Sequence, residues 1–199
     1  MRSGRATVPI EGELVRLRPL EPADAERYVQ WLNDPEVTRT LTVRYPLGSE
    51  PERAIIERMA KHAGYRDVNF AIEVRETGEH IGTVGVSDSY RESRWGTLGI
   101  VIGAKEHWGR GYGEDALREM LRFAFWEMNL DTVRLEVYAS NARARDLYER
   151  VGFVTEGRKR AAVLRGGEQI DVDVMSVTRA EFEAQYGAPP DLRERKVLP

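Results

Sequence analysis

The chain has 199 residues, with 30 Lys and Arg against 33 Asp and Glu, for a net charge of -3. That length fits one domain, which can bury roughly 70% of its unfolded surface and needs no metal or disulfide to fold. The near-balanced charge gives no reason to expect a nucleic-acid partner, and the lack of cysteine excludes disulfides, thiolate metal sites and thiol nucleophiles.

The three histidines, His62, His80 and His107, have no metal-ligand spacing, so no metal site is expected. No apolar stretch of signal-peptide or membrane-spanning length is present, which makes a cytoplasmic protein without a membrane partner the expectation.

In chain order, residues 1–10 read as a mobile leader, 11–186 as the domain and 187–199 as a flexible tail. Residues 13–18 alternate apolar and polar, a strand ended by Pro19. Residues 23–32 form a short amphipathic helix offering Tyr28, Trp31 and Leu32 to a core, stopped by Asn33-Asp34-Pro35. Residues 35–48 read as loop. Ser49 and Glu52 make a capping box for a second helix reaching about Lys61. Strands follow at 68–75 and 81–86 across a turn at 76–79, with Gly82 and Gly85 marking a close approach or a bulge. A polar connection at 88–94 leads to an apolar strand at 97–102. After a glycine loop comes a helix at 114–128, with Leu117, Met120, Leu121, Ala124 and Met128 on one stripe. A strand at 132–138 precedes a helix whose Ala144, Leu147, Tyr148 and Val151 share a face and which Gly152 stops. A terminal hairpin pairs 153–158 with 169–178 across Gly166-Gly167, and a short helix covers 179–186.

The loop Gly109-Arg110-Gly111-Tyr112-Gly113 lies between a buried strand and a helix N-terminus. Unpaired amides, a partial positive charge and glycines that admit close approach make this an anion site. A P-loop needs Lys and Ser or Thr after the last glycine, but Glu114 and Asp115 stand there. A dinucleotide fold needs Gly-x-Gly-x-x-Gly and an acidic residue after the next strand; here the spacing is shorter and Asp131 precedes that strand. The third reading is the pyrophosphate of coenzyme A.

Residues 141–153 carry Asn-x-x-Ala-x-x-Leu-Tyr-x-x-x-Gly-Phe. This resembles the second signature of the GCN5-related N-acetyltransferases, the GNAT family. The segment Trp108-Gly-Arg-Gly-Tyr-Gly113 resembles that family's acetyl-CoA signature, Gln/Arg-x-x-Gly-x-Gly/Ala. Trp108 replaces the Gln or Arg, a departure similar to the branch of ribosomal-protein N-terminal acetyltransferases. The resemblance covers roughly residues 12–183. It implies an α/β (α+β) fold with a mixed, mostly antiparallel sheet of about seven strands and about four flanking helices. The sheet is expected to splay between the strands at 97–102 and 132–138.

The resemblance implies acetyl-CoA as co-substrate and a primary amine as acceptor, on a small molecule or a protein N-terminus; a homodimer is an assembly it allows. Backbone amides around Trp108, Gly109, Arg110, Gly111, Tyr112 and Gly113 would hold the pyrophosphate. The pantetheine arm would pair with the backbone of Ile100, Val101 and Ile102 as an added strand does. Asn141 would bond the arm, a role compatible with capping its helix. Tyr148 matches the family's general acid. Trp31, Arg44 and Tyr45 fall where the acceptor pocket is expected, with packing the stronger reading of Trp31. His107 is expected to face solvent or phosphate. Related chains often carry a glutamate as base where this one has Thr97, leaving Glu73, Asp88, Glu136 or a relayed water. A lysine-like amine costs about 4.6 kcal/mol to deprotonate at pH 7 and an α-amine only about 1, so the missing base favours a low-pKa amine. The competing reading is a non-catalytic acyl-CoA-binding module.

Overall fold

Helix α3 (Tyr112–Trp126) sits at the centre of the fold, packed on strands β2 (Val15–Pro19), β4 (His80–Tyr90), β5 (Trp95–Ile102) and β6 (Thr132–Tyr138). Its Leu117, Met120, Leu121 and Ala124 are fully buried, as their spacing predicts, and Met128 follows the helix, partly buried. The computed structural model describes residues 10–42, 54, 67–90 and 92–189. The leader at 1–9, the Ser49–Glu52 capping box, Arg44, Tyr45 and the tail from 190 lie outside the described residues. Among the described residues no helix is long and apolar enough to cross a membrane.

The remaining elements are β1 (Ile10–Glu11), α1 (Ala25–Leu32), α2 (Pro35–Thr38), β3 (Val68–Val74), α4 (Ala142–Arg150), β7 (Val154–Arg165), β8 (Glu168–Thr178) and α5 (Arg179–Tyr186). The sheet has eight strands in the order β1-β2-β3-β4-β5-β6-β8-β7. Every neighbouring pair is antiparallel except β5 and β6. The eighth strand is the two-residue β1, which begins at Ile10, inside the expected leader.

The β5/β6 pair governs the site. It is joined only at Trp95↔Thr132, Gly96↔Val133 and Thr97↔Arg134. Beyond Thr97 each strand stays paired on its outer side, β5 to β4 as far as Ile102 and β6 to β8 as far as Tyr138. The expected splay is therefore a V with two rigid walls and unpaired backbone along its inner edges.

Three boundaries differ from the sequence reading. Asn33-Asp34-Pro35 stops α1 but also starts α2, because the Asp34 side chain accepts the Glu36 amide at 2.8 Å and Pro35 takes the first helical position. Strand β4 runs to Tyr90 through a register shift, with Asp88 at φ 52°, where a polar connection was expected. Strand β7 extends to Arg165, seven residues past its expected end at 158, while β8 begins at Glu168, one residue from its expected start. Strand β7 is an exposed edge, so no buried face imposes alternation on its polar residues. Both readings of the glycines hold at Gly82: a Cβ there would lie 2.1 Å from the Val101 carbonyl, and the β3/β4 register shifts beside it, between Ile72 and Glu73.

A charged cluster locks the first half of the sheet. Arg18 donates to both carboxylate oxygens of buried Asp24 at 2.7 Å, and its Nε to Glu73 at 2.6 Å. His80 Nδ1 lies 3.2 Å from Asp24, its Nε2 lies 2.9 Å from the Gly82 carbonyl, and Trp31 meets the ring edge-on. Burial pushes the Asp24 carboxyl up, but hydrogen bonds from Arg18, His80 and the Glu21 amide outweigh it and hold the pKa well below the usual carboxylate range. A depressed carboxyl pKa stabilises the fold above its unfolded value, near 3.9, and the benefit is lost as pH falls below that. Asp24→Asn is expected to cost about 3 kcal/mol at pH 7. In urea melts its gap to the parent should narrow by about 1 kcal/mol at pH 3. A gap unchanged with pH would contradict this ion-pair account.

Candidate active site

The V opens onto the glycine loop. Gly111 caps α3 at φ 87°, a left-handed conformation that costs a side chain about 1–2 kcal/mol. The turn exposes the first-turn amides of α3, which have no acceptor within the helix. Trp108 fastens the loop to β5, its indole Nε1 donating to the Ile102 carbonyl at 2.7 Å, and Arg143 of α4 lies over the indole at 5.0 Å. From below, buried Asp115 accepts the amides of Glu13, Leu14 and Val15 at 3.2, 2.7 and 2.9 Å, which pins the β1–β2 turn under the loop. That turn presses on the loop, for a Cβ on Gly111 would meet Leu14 at 3.1 Å.

One cleft of about 1240 Å³ runs through the V. It brings together Ile100, Val101 and Ile102 on one wall, Trp108, Gly109, Gly111 and Gly113 at the loop, and Asn141 and Tyr148 from α4. Arg110 is exposed and stacks over Tyr112 at 5.5 Å, and Tyr112 packs edge-on against His107, so neither the Arg110 nor the Tyr112 side chain is part of the lining. Asn141 caps α4, its Oδ1 accepting the Ala144 amide at 3.2 Å. A capping oxygen leaves the carboxamide NH2 available to a ligand.

Tyr148 is half-buried, edge-on to Phe153, and burial pushes its phenol up to about 12. Among the described residues its hydroxyl has no hydrogen-bond partner. At neutral pH it is a donor. A thiolate near pKa 8.5 could take its proton completely only at about 5 kcal/mol, so a hydrogen bond to developing negative charge is the chemistry open to it.

Of the candidate bases, Glu73 is held by Arg18 and Asp88 sits at the β4 bulge, both away from the cleft lining. Glu136 lines the cleft but is ion-paired to Lys159. Thr97 lies at the branch point of the V, on the last paired rung. Of the two expectations for His107, solvent fails, for it is buried, with Nε2 3.1 Å from Glu79, but it is among the residues that line the cleft beside the loop. Among the described residues, donor atoms of Glu79, Glu106 and His107 gather within 4.8 Å, but Glu79 is also paired to Arg27. Trp31 is a packing residue, its ring filling the space beside Gly103.

The sequence reading missed the far wall. The Leu41 carbonyl accepts from the Tyr138 hydroxyl at 3.1 Å and from Arg165 Nη1 at 2.5 Å. This ties the segment after α2 to the end of β6 and to the hairpin. Arg39, Leu41, Tyr138, Arg165 and Glu168 all line the cleft. Contacts spanning 97 and 124 positions leave no local mark in a sequence.

Residues 15–154 match the family model described as an acetyltransferase (GNAT) domain. The chain is similar to the uncharacterised N-acetyltransferase p20 of Bacillus licheniformis, 29% identical over 171 residues, 85% of this chain and 96% of p20. It is similar to the L-amino acid N-acetyltransferase AaaT of Escherichia coli, 29% identical over 164 residues, 80% and 95% of the two chains. The crystal structure of Vibrio cholerae spermidine N-acetyltransferase with CoA and spermine superposes with a TM-score of 0.76 at 25% identity, covering 85% of this chain and 98% of that one. A V-shaped strand pair, an amide-lined glycine loop and a half-buried tyrosine thus meet in a chain that belongs to the GNAT family and is an acyltransferase.

Proposed function

We propose that this chain moves an acetyl group from acetyl-CoA to a primary amine by direct attack in a ternary complex. The observation that carries the reading is the V itself. Unpaired backbone of β5 beyond Thr97 suits the peptide-like amides of a pantetheine arm, and the arm would end beside Tyr148. The loop amides at 109–113 would hold the pyrophosphate, Asn141 would donate to the arm, and those main-chain N–H groups of the segment Ile100–Ile102 that face the V, alternate ones being turned to β4, would polarise the thioester carbonyl. The neutral amine attacks that carbonyl carbon and the C–S bond breaks. The departing sulfur is stabilised by the Tyr148 hydroxyl, and the amine's proton leaves to water. A soluble thioester co-substrate is consistent with a reaction in the cytoplasm.

The acceptor is a small-molecule amine or a protein N-terminus. Relatives are named for L-amino acids and for spermidine. With Thr97 at the usual base position, an amine of low pKa is the better match, since its neutral form costs least. The test is thiol release from acetyl-CoA across an amine panel, with mass spectrometry of the products. Amine-dependent thiol and an N-acetylated product are expected. Binding of acetyl-CoA without amine-dependent thiol would instead favour the non-catalytic module.

The cradle has its own test. Gly111→Val places a β-branched residue at φ 87°, and it is expected to raise the acetyl-CoA Kd by at least ~10-fold in calorimetry. The melting temperature should fall by only a few degrees, because about 1–2 kcal/mol of strain moves a domain of this size by roughly that amount. An unchanged Kd would remove the loop from the binding site.

A further inference from the structure

The charges on the cleft wall point to what the acceptor carries besides its amine. Among the described residues four carboxylates line the cleft: Glu36, Glu114, Glu136 and Glu168. Three are already neutralised, Glu36 by Lys105 at 2.8 Å, Glu114 by Arg150 at 3.0 Å and Glu136 by Lys159. Glu168 is exposed at the hairpin end, in register with Arg165. A polycationic acceptor needs free carboxylates, and this wall offers few.

The arginines show the reverse pattern. Arg39, at the C-terminal end of α2, and Arg165, at the end of β7, line the cleft on either side of Leu41, whose carbonyl Arg165 holds; among the described residues neither forms an ion pair with a carboxylate. Arg165 is held in place by a single donor to the Leu41 carbonyl, which the Tyr138 hydroxyl also reaches. Among the described residues its other four N–H groups have no acceptor, and the planar fork is part of the cleft lining. Such a fork matches an oxyanion in bidentate geometry, with less entropy lost than a free side chain would lose.

We infer that the acceptor is an amine that also bears an oxyanion, a carboxylate or a phosphate, which Arg165 and Arg39 hold while the amine faces the thioester. This rests on the acetyl-transfer reading above and deepens it. Arg39 and Arg165 are then specificity residues, and a polyamine is disfavoured.

The experiment measures kcat/KM by thiol release for matched pairs: L-alanine against L-alaninamide, and O-phosphoethanolamine against ethanolamine, with spermidine as the polycation. The alaninamide amine is the less basic of its pair, so chemistry alone favours the amide and a preference for the acid reports recognition. At least one anionic member is expected to exceed its neutral partner by ~10-fold or more, and which pair does so separates carboxylate from phosphate. Arg165→Gln and Arg39→Gln should raise the KM for that acceptor by about tenfold and shrink the ratio toward one, with the KM for acetyl-CoA unchanged. Thermal melts check that both variants fold, and the parent's ratios stand without them. Equal rates within both pairs, or spermidine as the best acceptor, would overturn the inference while leaving acetyl transfer intact. No amine-dependent thiol with any acceptor would overturn acetyl transfer itself.

Discussion

Replacing Tyr148 with Phe should lower turnover by about 10²- to 10⁴-fold with little change in acetyl-CoA affinity. The ring's packing against Phe153 is kept in Phe, so the variant removes one hydroxyl and leaves the helix and the cleft wall in place. In the proposed complex, ground-state binding of the coenzyme would depend on loop amides and strand backbone rather than on this hydroxyl. On the proposed mechanism the hydroxyl would act where sulfur gains charge, and loss of an interaction made only in the transition state lowers kcat and kcat/KM together. Because burial pushes the phenol up to about 12, its ionisation should not cut activity through pH 9. Steady-state kinetics and coenzyme titration of both proteins decide the matter. Near-normal turnover in the variant would remove Tyr148 from the chemistry, and a collapse in coenzyme affinity would show a binding role instead.

Asp115→Ala should be the most damaging single change to stability, at about 3–5 kcal/mol. Asp115 is 2% exposed and accepts three backbone amides from the β1–β2 turn while pairing with Arg118 of its own helix. Alanine leaves those amides without their acceptor, each at roughly 1–3 kcal/mol where water cannot replace it. It also opens the space that Gly12 was selected to fit, since a Cβ on Gly12 would meet the carboxylate at 2.4 Å. Urea denaturation measures the loss, and a melting temperature lower by roughly 10 °C is the matching thermal result. A change under 1 kcal/mol would mean the turn finds other partners. The loop above should loosen too, because Leu14 of the same turn underlies Gly111.

The parts legible in the sequence were those set by near neighbours. The α3 stripe, the strand–loop–helix around Gly109, Gly111 and Gly113, and the Asn141 cap all depend on residues within a few positions of one another; the cap and the buried Leu117, Met120, Leu121 and Ala124 stand where the spacing put them, and the helix runs Tyr112–Trp126 against an expected 114–128. Asn33-Asp34-Pro35 misled because one tripeptide ends a helix and begins another. Strand β7 was read short because an exposed edge imposes no apolar alternation. Asp115 looked like an ordinary acidic residue in the first turn of a helix; only the turn a hundred positions earlier makes it a three-amide acceptor. The acceptor wall was invisible for the same reason, as Leu41, Tyr138 and Arg165 meet only in the folded chain.

The central claim is that the coenzyme completes the sheet where β5 and β6 part. A crystal structure with CoA tests it most directly. The account predicts the pantetheine arm in the V, its amides bonded to the backbone of Ile100, Val101 or Ile102, with the pyrophosphate over the amides of 109–113 and the sulfur beside Tyr148. Coenzyme bound elsewhere on the chain, or β5 and β6 paired through to Ile102 and Tyr138, would contradict it.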